Sequence, residues 1–140
     1  MAAYSDPDRL RSTAATLFSR LADDPTIRKR TEKIEAVFRF EIEEPEVAFT
    51  LSIDRGRLTA DFTGQPPARA VLRMDGDVFH QAMAGTLNLP MALVTKTLRI
   101  EGDTRAVLSL TALGKTLNDT YNALWAEREG ERQPQSGTSA

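Results

Sequence analysis

Residues 36–64 read AVFRFEIEEPEVAFTLSIDRGRLTADFTG, a segment in which apolar and polar residues alternate in three runs. Residues 43–46 (EEPE) and the pair Arg55-Gly56 separate the runs and are rich in turn-forming residues. In a strand, a period of two places every second side chain on the same face. The segment therefore predicts three consecutive strands joined by turns, each with one apolar and one polar face.

The same alternation continues in two later runs, at residues 68–74 and 97–101. The apolar positions of the five runs are Ala36, Phe38, Phe40, Ile42, Val47, Phe49, Leu51, Ile53, Leu58, Ala60, Phe62, Ala68, Ala70, Leu72, Met74, Leu98 and Ile100. One apolar and one polar face are typical of a sheet solvated on one side, and argue against a doubly wound α/β fold. Five strands about 4.8 Å apart make a face roughly 20–24 Å wide, whereas a helix is about 10 Å across. Two or three helices are therefore expected to cover the apolar face.

Helical patterns supply that cover on both sides of the strands. Apolar residues recur at helical spacing from Leu10 to Leu21 and again from Val107 to Leu124. Aspartate or asparagine stands where each predicted helix begins, as expected of residues that cap a helix N-terminus. The predicted starts are Asp6, Asp24, Asp75, Asn88 and Asp103. The expected fold class is α+β, a two-layer arrangement of one sheet with helices on one face.

Length and composition indicate one domain. The chain has 140 residues, of which 41% are apolar and 27% charged, the profile of a globular protein. We expect residues 1–126 to form the domain. Residues 127–140 contain almost no apolar side chain, so they are predicted to be a disordered tail.

Charge and residue types exclude several functions. The formal net charge is -2, which argues against a nucleic-acid partner. There is no cysteine and only one histidine, His80, so thiolate nucleophiles and cysteine or multi-histidine metal sites are excluded. Neither a metal nor a cofactor is expected. No apolar run approaches the roughly 18 residues of a membrane span and the first residues lack a secretory pattern, so we expect a cytoplasmic protein without stable membrane insertion.

Four sequence features carry a resemblance to a known family. They are the segment 36–64 quoted above, AVLRMDGDVFHQAMAGTLN at 70–88, NLPMALVTK at 88–96, and LRIEGDTRAVLSL at 98–110. In this order and spacing, residues 38–113 resemble the sterol carrier protein type-2 family. Two positions differ: Leu89 separates Asn88 from Pro90 where the family usually has Asn-Pro-Met, and Lys96 stands where it usually has glycine. The chain ends Thr138-Ser139-Ala140, which is not a peroxisomal targeting tripeptide, so a stand-alone, bacterial member is expected.

The resemblance implies a five-stranded, mostly antiparallel sheet with helices on one face. It also implies an apolar cavity between sheet and helices that holds a fatty acyl chain, fatty acyl-CoA, sterol or isoprenoid, without catalysis. The residues expected to line this cavity are Phe38, Phe40, Phe49, Leu51, Phe62, Leu72, Met74, Phe79, Met83, Leu87, Met91, Val94, Leu110, Leu113 and Leu117. Tyr121, Leu124 and Trp125 follow as a lid over the cavity or a face for a partner.

Two alternatives remain open at this stage. The same apolar residues could fill the core completely, leaving an interaction module that binds a second copy or a partner enzyme. A cavity enzyme would instead need an acid or base such as His80 or Asp61 directed into the pocket. Strand parity directs Asp61 away from the apolar face, which counts against it.

Overall fold

The computed structural model describes residues 3–64 and 67–132, with side chains described through residue 129. A five-stranded sheet carries helices on one face. The strands are β1 (Glu35–Glu43), β2 (Val47–Asp54), β3 (Arg57–Asp61), β4 (Ala70–Asp75) and β5 (Leu98–Gly102). The helices are α1 (Pro7–Ala22), α2 (Pro25–Arg30), α3 (Gly76–Ala84), α4 (Leu89–Val94), α5 (Thr104–Val107), a 3₁₀ helix (Leu108–Ala112) and α6 (Gly114–Arg132). In the described part of the chain, none of these helices is both long and apolar enough to cross a bilayer.

The sheet is mixed, in the order β3-β2-β1-β4-β5. The β1–β2, β2–β3 and β4–β5 pairs are antiparallel, and β1 pairs with β4 in parallel. At the centre, Phe40 lies opposite Phe49 on one side and Leu72 on the other. The predicted five-stranded, mostly antiparallel sheet with helices on one face is confirmed.

The two faces of the sheet differ as the alternation predicts. Phe38, Phe49 and Leu51 are completely buried beneath the helices. On the opposite face Arg73 lies 3.1 Å from Glu41 and 3.2 Å from Glu101, which links β1, β4 and β5 through ion pairs. Such partly exposed pairs contribute little stability individually, and they account for the charged residues at alternating strand positions.

The long helices cover mainly the β1–β3 part of the sheet. Helix α1 begins at the predicted Asp6-Pro7 cap and packs against β3, β2 and α6. Its Phe18 ring lies 5.6 Å from that of Phe49. Helix α3 begins after Asp75, ends at Gly85 with φ of 86°, and packs on β1, β4 and α6.

The last helix extends beyond the boundary expected at residue 126. Helix α6 continues through Arg132, so the prediction of disorder is wrong for residues 127–132. The reason is that charged side chains of α6 find partners on α1: Glu127 with Arg20 at 2.9 Å, and Arg128 with Thr16 at 3.1 Å. Residues 133–140 of the predicted tail lie outside the described residues.

Candidate ligand-binding site

An apolar pocket of about 900 Å³ lies between the β4–β5 edge of the sheet and the helical layer. Its apolar lining residues are Phe40, Leu72, Met74, Ala82, Met83, Leu87, Leu89, Leu93, Leu98, Ile100, Val107, Leu108, Leu110 and Leu117. Its polar lining residues are Lys96, Arg99, Glu101, Thr104, Arg105 and Thr111. Because all six polar residues are exposed, they mark the side on which the pocket opens to solvent.

The pocket exists because short elements cover this half of the sheet. Helix α5 has four residues and the 3₁₀ helix five, and no residue of the 3₁₀ helix is buried. Single turns present few side chains toward the sheet, whereas α1 is sixteen residues long and buries six of them over the other half. The apolar strand residues Leu72, Met74 and Leu98 therefore face space that no helix fills.

The back wall of the pocket is held by polar contacts between α3 and α6. Asn118 Nδ2 donates to the Met83 carbonyl at 2.8 Å, and Asn122 Nδ2 donates to the Ala84 carbonyl at 3.1 Å. These carbonyls belong to the last turn of α3, where helical partners are lacking. The two amides therefore cap α3 and keep it against α6, which positions Met83 and Leu117 in the wall.

Lys96, at the mouth of the pocket, adopts a left-handed backbone conformation with φ of 63°. It directly follows Thr95, the C-cap residue of α4, and the Thr97 amide donates back to the Ala92 carbonyl at 3.0 Å. Glycine is the usual residue in this position because a Cβ is disfavoured there. The geometry therefore explains why the family that the sequence resembles usually has glycine at this position, where this chain has an exposed lysine.

Seven of the residues predicted to line the cavity do line this pocket. They are Phe40, Leu72, Met74, Met83, Leu87, Leu110 and Leu117. Six others are packed into the core or against it and do not line the pocket. These six are Phe38, Phe49, Leu51, Phe62, Phe79 and Leu113.

Met91 and Val94 lie outside the pocket altogether. Helix α4 turns Ala92 toward the interior, which leaves the side chains of Met91 and Val94 in solvent, 56% and 77% exposed. Sequence reasoning missed seven apolar wall residues, among them Leu98 and Ile100 of β5. Their strand alternation had already placed both on the apolar face, so the signal was present.

Tyr121, Leu124 and Trp125, which were expected to form a lid over the cavity or a face for a partner, pack inside the protein instead. Tyr121 and Leu124 are buried in the core, and Trp125 is half-buried with its ring 5.3 Å from that of Tyr4. An apolar stripe has the same sequence pattern whether the helix covers a pocket or packs inside the protein. Here it packs against the N-terminal segment and α3, away from the mouth of the pocket.

Neither acid–base candidate lines the pocket. His80 Nδ1 lies 2.7 Å from the Tyr121 hydroxyl, and burial lowers the pKa of His80 while Asp77 and Glu129 oppose this. Asp61 accepts hydrogen bonds from Thr63 and Gly64, which lower the pKa of its carboxyl. Both side chains have structural partners, and neither is among the residues that line the pocket.

A two-layer α+β domain with an apolar pocket between the layers fits a small-molecule-binding protein. Comparison with known families makes the assignment more specific. The model of the SCP-2 sterol transfer family matches residues 15–115. The chain belongs to this family.

Solved structures share the fold. A crystal structure of sterol carrier protein 2 is 18% identical, with a TM-score of 0.60, over 79% of this chain and 93% of that one. The ubiquinone synthesis protein UbiJ-SCP2 is 18% identical, with a TM-score of 0.60, over 82% and 99%. The inverting sec-alkylsulfatase Pisa1 from Pseudomonas sp. is 21% identical, with a TM-score of 0.58, over 67% of this chain.

This chain spans only 15% of the length of the sulfatase. The comparison with curated proteins gives no match. The structural similarities therefore show a common fold.

Proposed function

We propose that this protein binds and carries an apolar lipid in the pocket between β4–β5 and the helices, without catalysing a reaction. The observation that carries the proposal is the apolar pocket of about 900 Å³ in a chain of the SCP-2 sterol transfer family. Ligand pockets in proteins are typically about 300–1,000 Å³ and mostly apolar. The ligand classes that fit are a fatty acyl chain, an acyl-CoA, a sterol or an isoprenoid.

The pocket suits a ligand that is apolar along most of its length. Leucine, isoleucine, methionine and phenylalanine side chains form most of its lining, and every polar lining residue is exposed. Burying each methylene group of a ligand contributes about 0.8 kcal/mol. A chain of about ten methylenes therefore supplies about 8 kcal/mol before the cost of association is subtracted.

The ionisable groups of the pocket support binding rather than catalysis. Arg99 pairs with Glu43 at 2.9 Å, and Glu101 pairs with Arg73 at 3.2 Å. Both pairs lie at the solvent boundary, and each charge is matched by a partner outside the apolar part of the pocket. His80 and Asp61 do not line the pocket.

Native mass spectrometry of the purified protein tests this function, with organic extraction of whatever lipid travels with it. A fluorescent fatty acid titrated into the protein measures binding, and unlabelled fatty acid, acyl-CoA and cholesterol compete for it. We expect saturable binding at one site and displacement by at least one of these lipids. A ligand-free mass, together with no binding of the fluorescent fatty acid or of a fluorescent sterol, would contradict the proposal and favour an interaction module.

A further inference from the structure

Helix α4 and the 3₁₀ helix expose a cluster of large apolar side chains beside the mouth of the pocket. This cluster, here called the apolar rim, consists of Leu89, Met91, Leu93, Val94 and Leu108. In the part of the chain that the structure describes, no other large apolar side chain is exposed. Isolated exposed apolar residues are ordinary, but a contiguous set marks an interaction surface.

The rim is continuous with the pocket. Leu89, Leu93 and Leu108 line the pocket as well as reaching solvent, whereas Met91 and Val94 point only outward. A partner seated on the rim would therefore lie directly against the opening.

Two basic side chains flank the rim. Lys96 follows α4 and Arg105 lies in α5, just before the 3₁₀ helix, and both are exposed. Neither forms an ion pair with another described residue, whereas Arg99 and Glu101 beside them are paired. Asp103, two residues before Arg105 in the sequence, accepts hydrogen bonds from the amides of Arg105 and Ala106 as a helix cap.

We propose that the apolar rim docks on the surface of a bilayer that contains anionic lipids. Apolar side chains that enter the head-group region, with lysine and arginine beside them to meet lipid phosphates, are the pattern of peripheral membrane binding. The docking itself stands on the rim; its use for exchange of lipid between pocket and membrane rests on the proposed function.

Charge favours a bilayer over a second copy of this chain. A symmetric dimer through the rim would bring Lys96 and Arg105 of both copies together, and like charges across an interface are unfavourable. The rim has five apolar residues, fewer than the roughly 20–30 residues a side of a stable protein interface. An anionic membrane can accept the apolar rim among its lipids and pair its phosphates with Lys96 and Arg105.

Vesicle co-sedimentation tests the docking. We expect wild-type protein to bind vesicles of phosphatidylcholine mixed with phosphatidylglycerol, to bind pure phosphatidylcholine more weakly, and to lose binding as salt rises. The variant M91Q/V94Q is expected to reduce vesicle binding about tenfold or more, because two inserted apolar side chains are lost. Its binding of fluorescent fatty acid in solution should be unchanged, since neither residue lines the pocket.

The charged part has a matched control. K96E/R105E is expected to abolish the preference for phosphatidylglycerol, because each basic residue near an anionic surface contributes severalfold to binding. K29E/R57E makes the same change in net charge near β3, at the opposite edge of the sheet from β5. This variant should retain the preference for phosphatidylglycerol.

Three results would overturn the docking: no binding of wild-type protein to either vesicle, M91Q/V94Q that binds as wild type does, or a wild-type dimer that M91Q/V94Q dissociates. Failure of the proposed function is separate. It appears as no fatty-acid binding in solution while the vesicle results stand as expected.

Discussion

The hydroxyl oxygens of Tyr4 and Tyr121 lie 2.6 Å apart in the interior of the protein, joined by one hydrogen bond. The bond connects the residues before α1 with α6, and the Tyr121 hydroxyl also contacts His80 Nδ1 of α3 at 2.7 Å. Burial raises the pKa of both tyrosines, so both hydroxyls remain protonated. Three distant segments of the chain thus meet in one polar network enclosed by aromatic rings.

Replacement of Tyr121 by phenylalanine should destabilise the fold. Y121F leaves the Tyr4 hydroxyl and His80 without their common partner, and a lost buried hydrogen bond costs about 1–3 kcal/mol. Urea unfolding of Y121F, Y4F and the double variant measures this. We expect the two single effects not to add, because both variants remove the same bond; additive effects would show that the tyrosines act independently.

Stability should fall in mild acid because of His80. Its pKa in the folded protein is lowered from 6.5, chiefly by burial, so below that pH the unfolded state binds more protons than the folded state. The contribution of His80 to the free energy of unfolding is therefore fully present above about pH 6.5 and decreases as the pH falls toward the lowered pKa. Unfolding free energies across this range should decrease less in H80Q. An equal decrease in H80Q would assign the effect to other groups.

Filling the pocket should abolish ligand binding. Ala82 lines the pocket from α3, and A82W would place an indole ring in the space a lipid needs. We expect fluorescent fatty-acid affinity to fall about tenfold or more. A48W, on the polar face of β2, adds the same ring outside the pocket and should bind normally. Unchanged affinity in A82W would place the ligand elsewhere.

Glycine at position 96 should make the protein more stable. A left-handed conformation costs a non-glycine residue roughly 1–2 kcal/mol, partly offset by the greater unfolded-state freedom of glycine. K96G is therefore expected to raise the free energy of unfolding by up to about 1 kcal/mol. A123G, at an exposed site inside α6, should instead lower it by about 1 kcal/mol. A lower stability for K96G would mean that the lysine side chain contributes contacts of its own.

The sequence was sufficient to predict the strands and their two faces. Alternation with a period of two is a local property, so it identifies Phe49 and Leu72 alike as residues that face the helices. Helix starts such as Asp6-Pro7 are equally local, because capping joins a side chain to amides two or three residues away. The fold class and half of the apolar residues of the pocket wall follow from these two signals and from the family resemblance.

Only the tertiary structure decided which apolar residues face a helix and which face the pocket. Phe49 lies beneath α1 and α3, whereas Leu72 lies beneath single-turn elements that leave space. The same holds for α4 and α6, where Val94 is exposed and Tyr121 is buried. Burial depends on what packs against a side chain from distant parts of the chain, and a local periodicity contains no information about that neighbour.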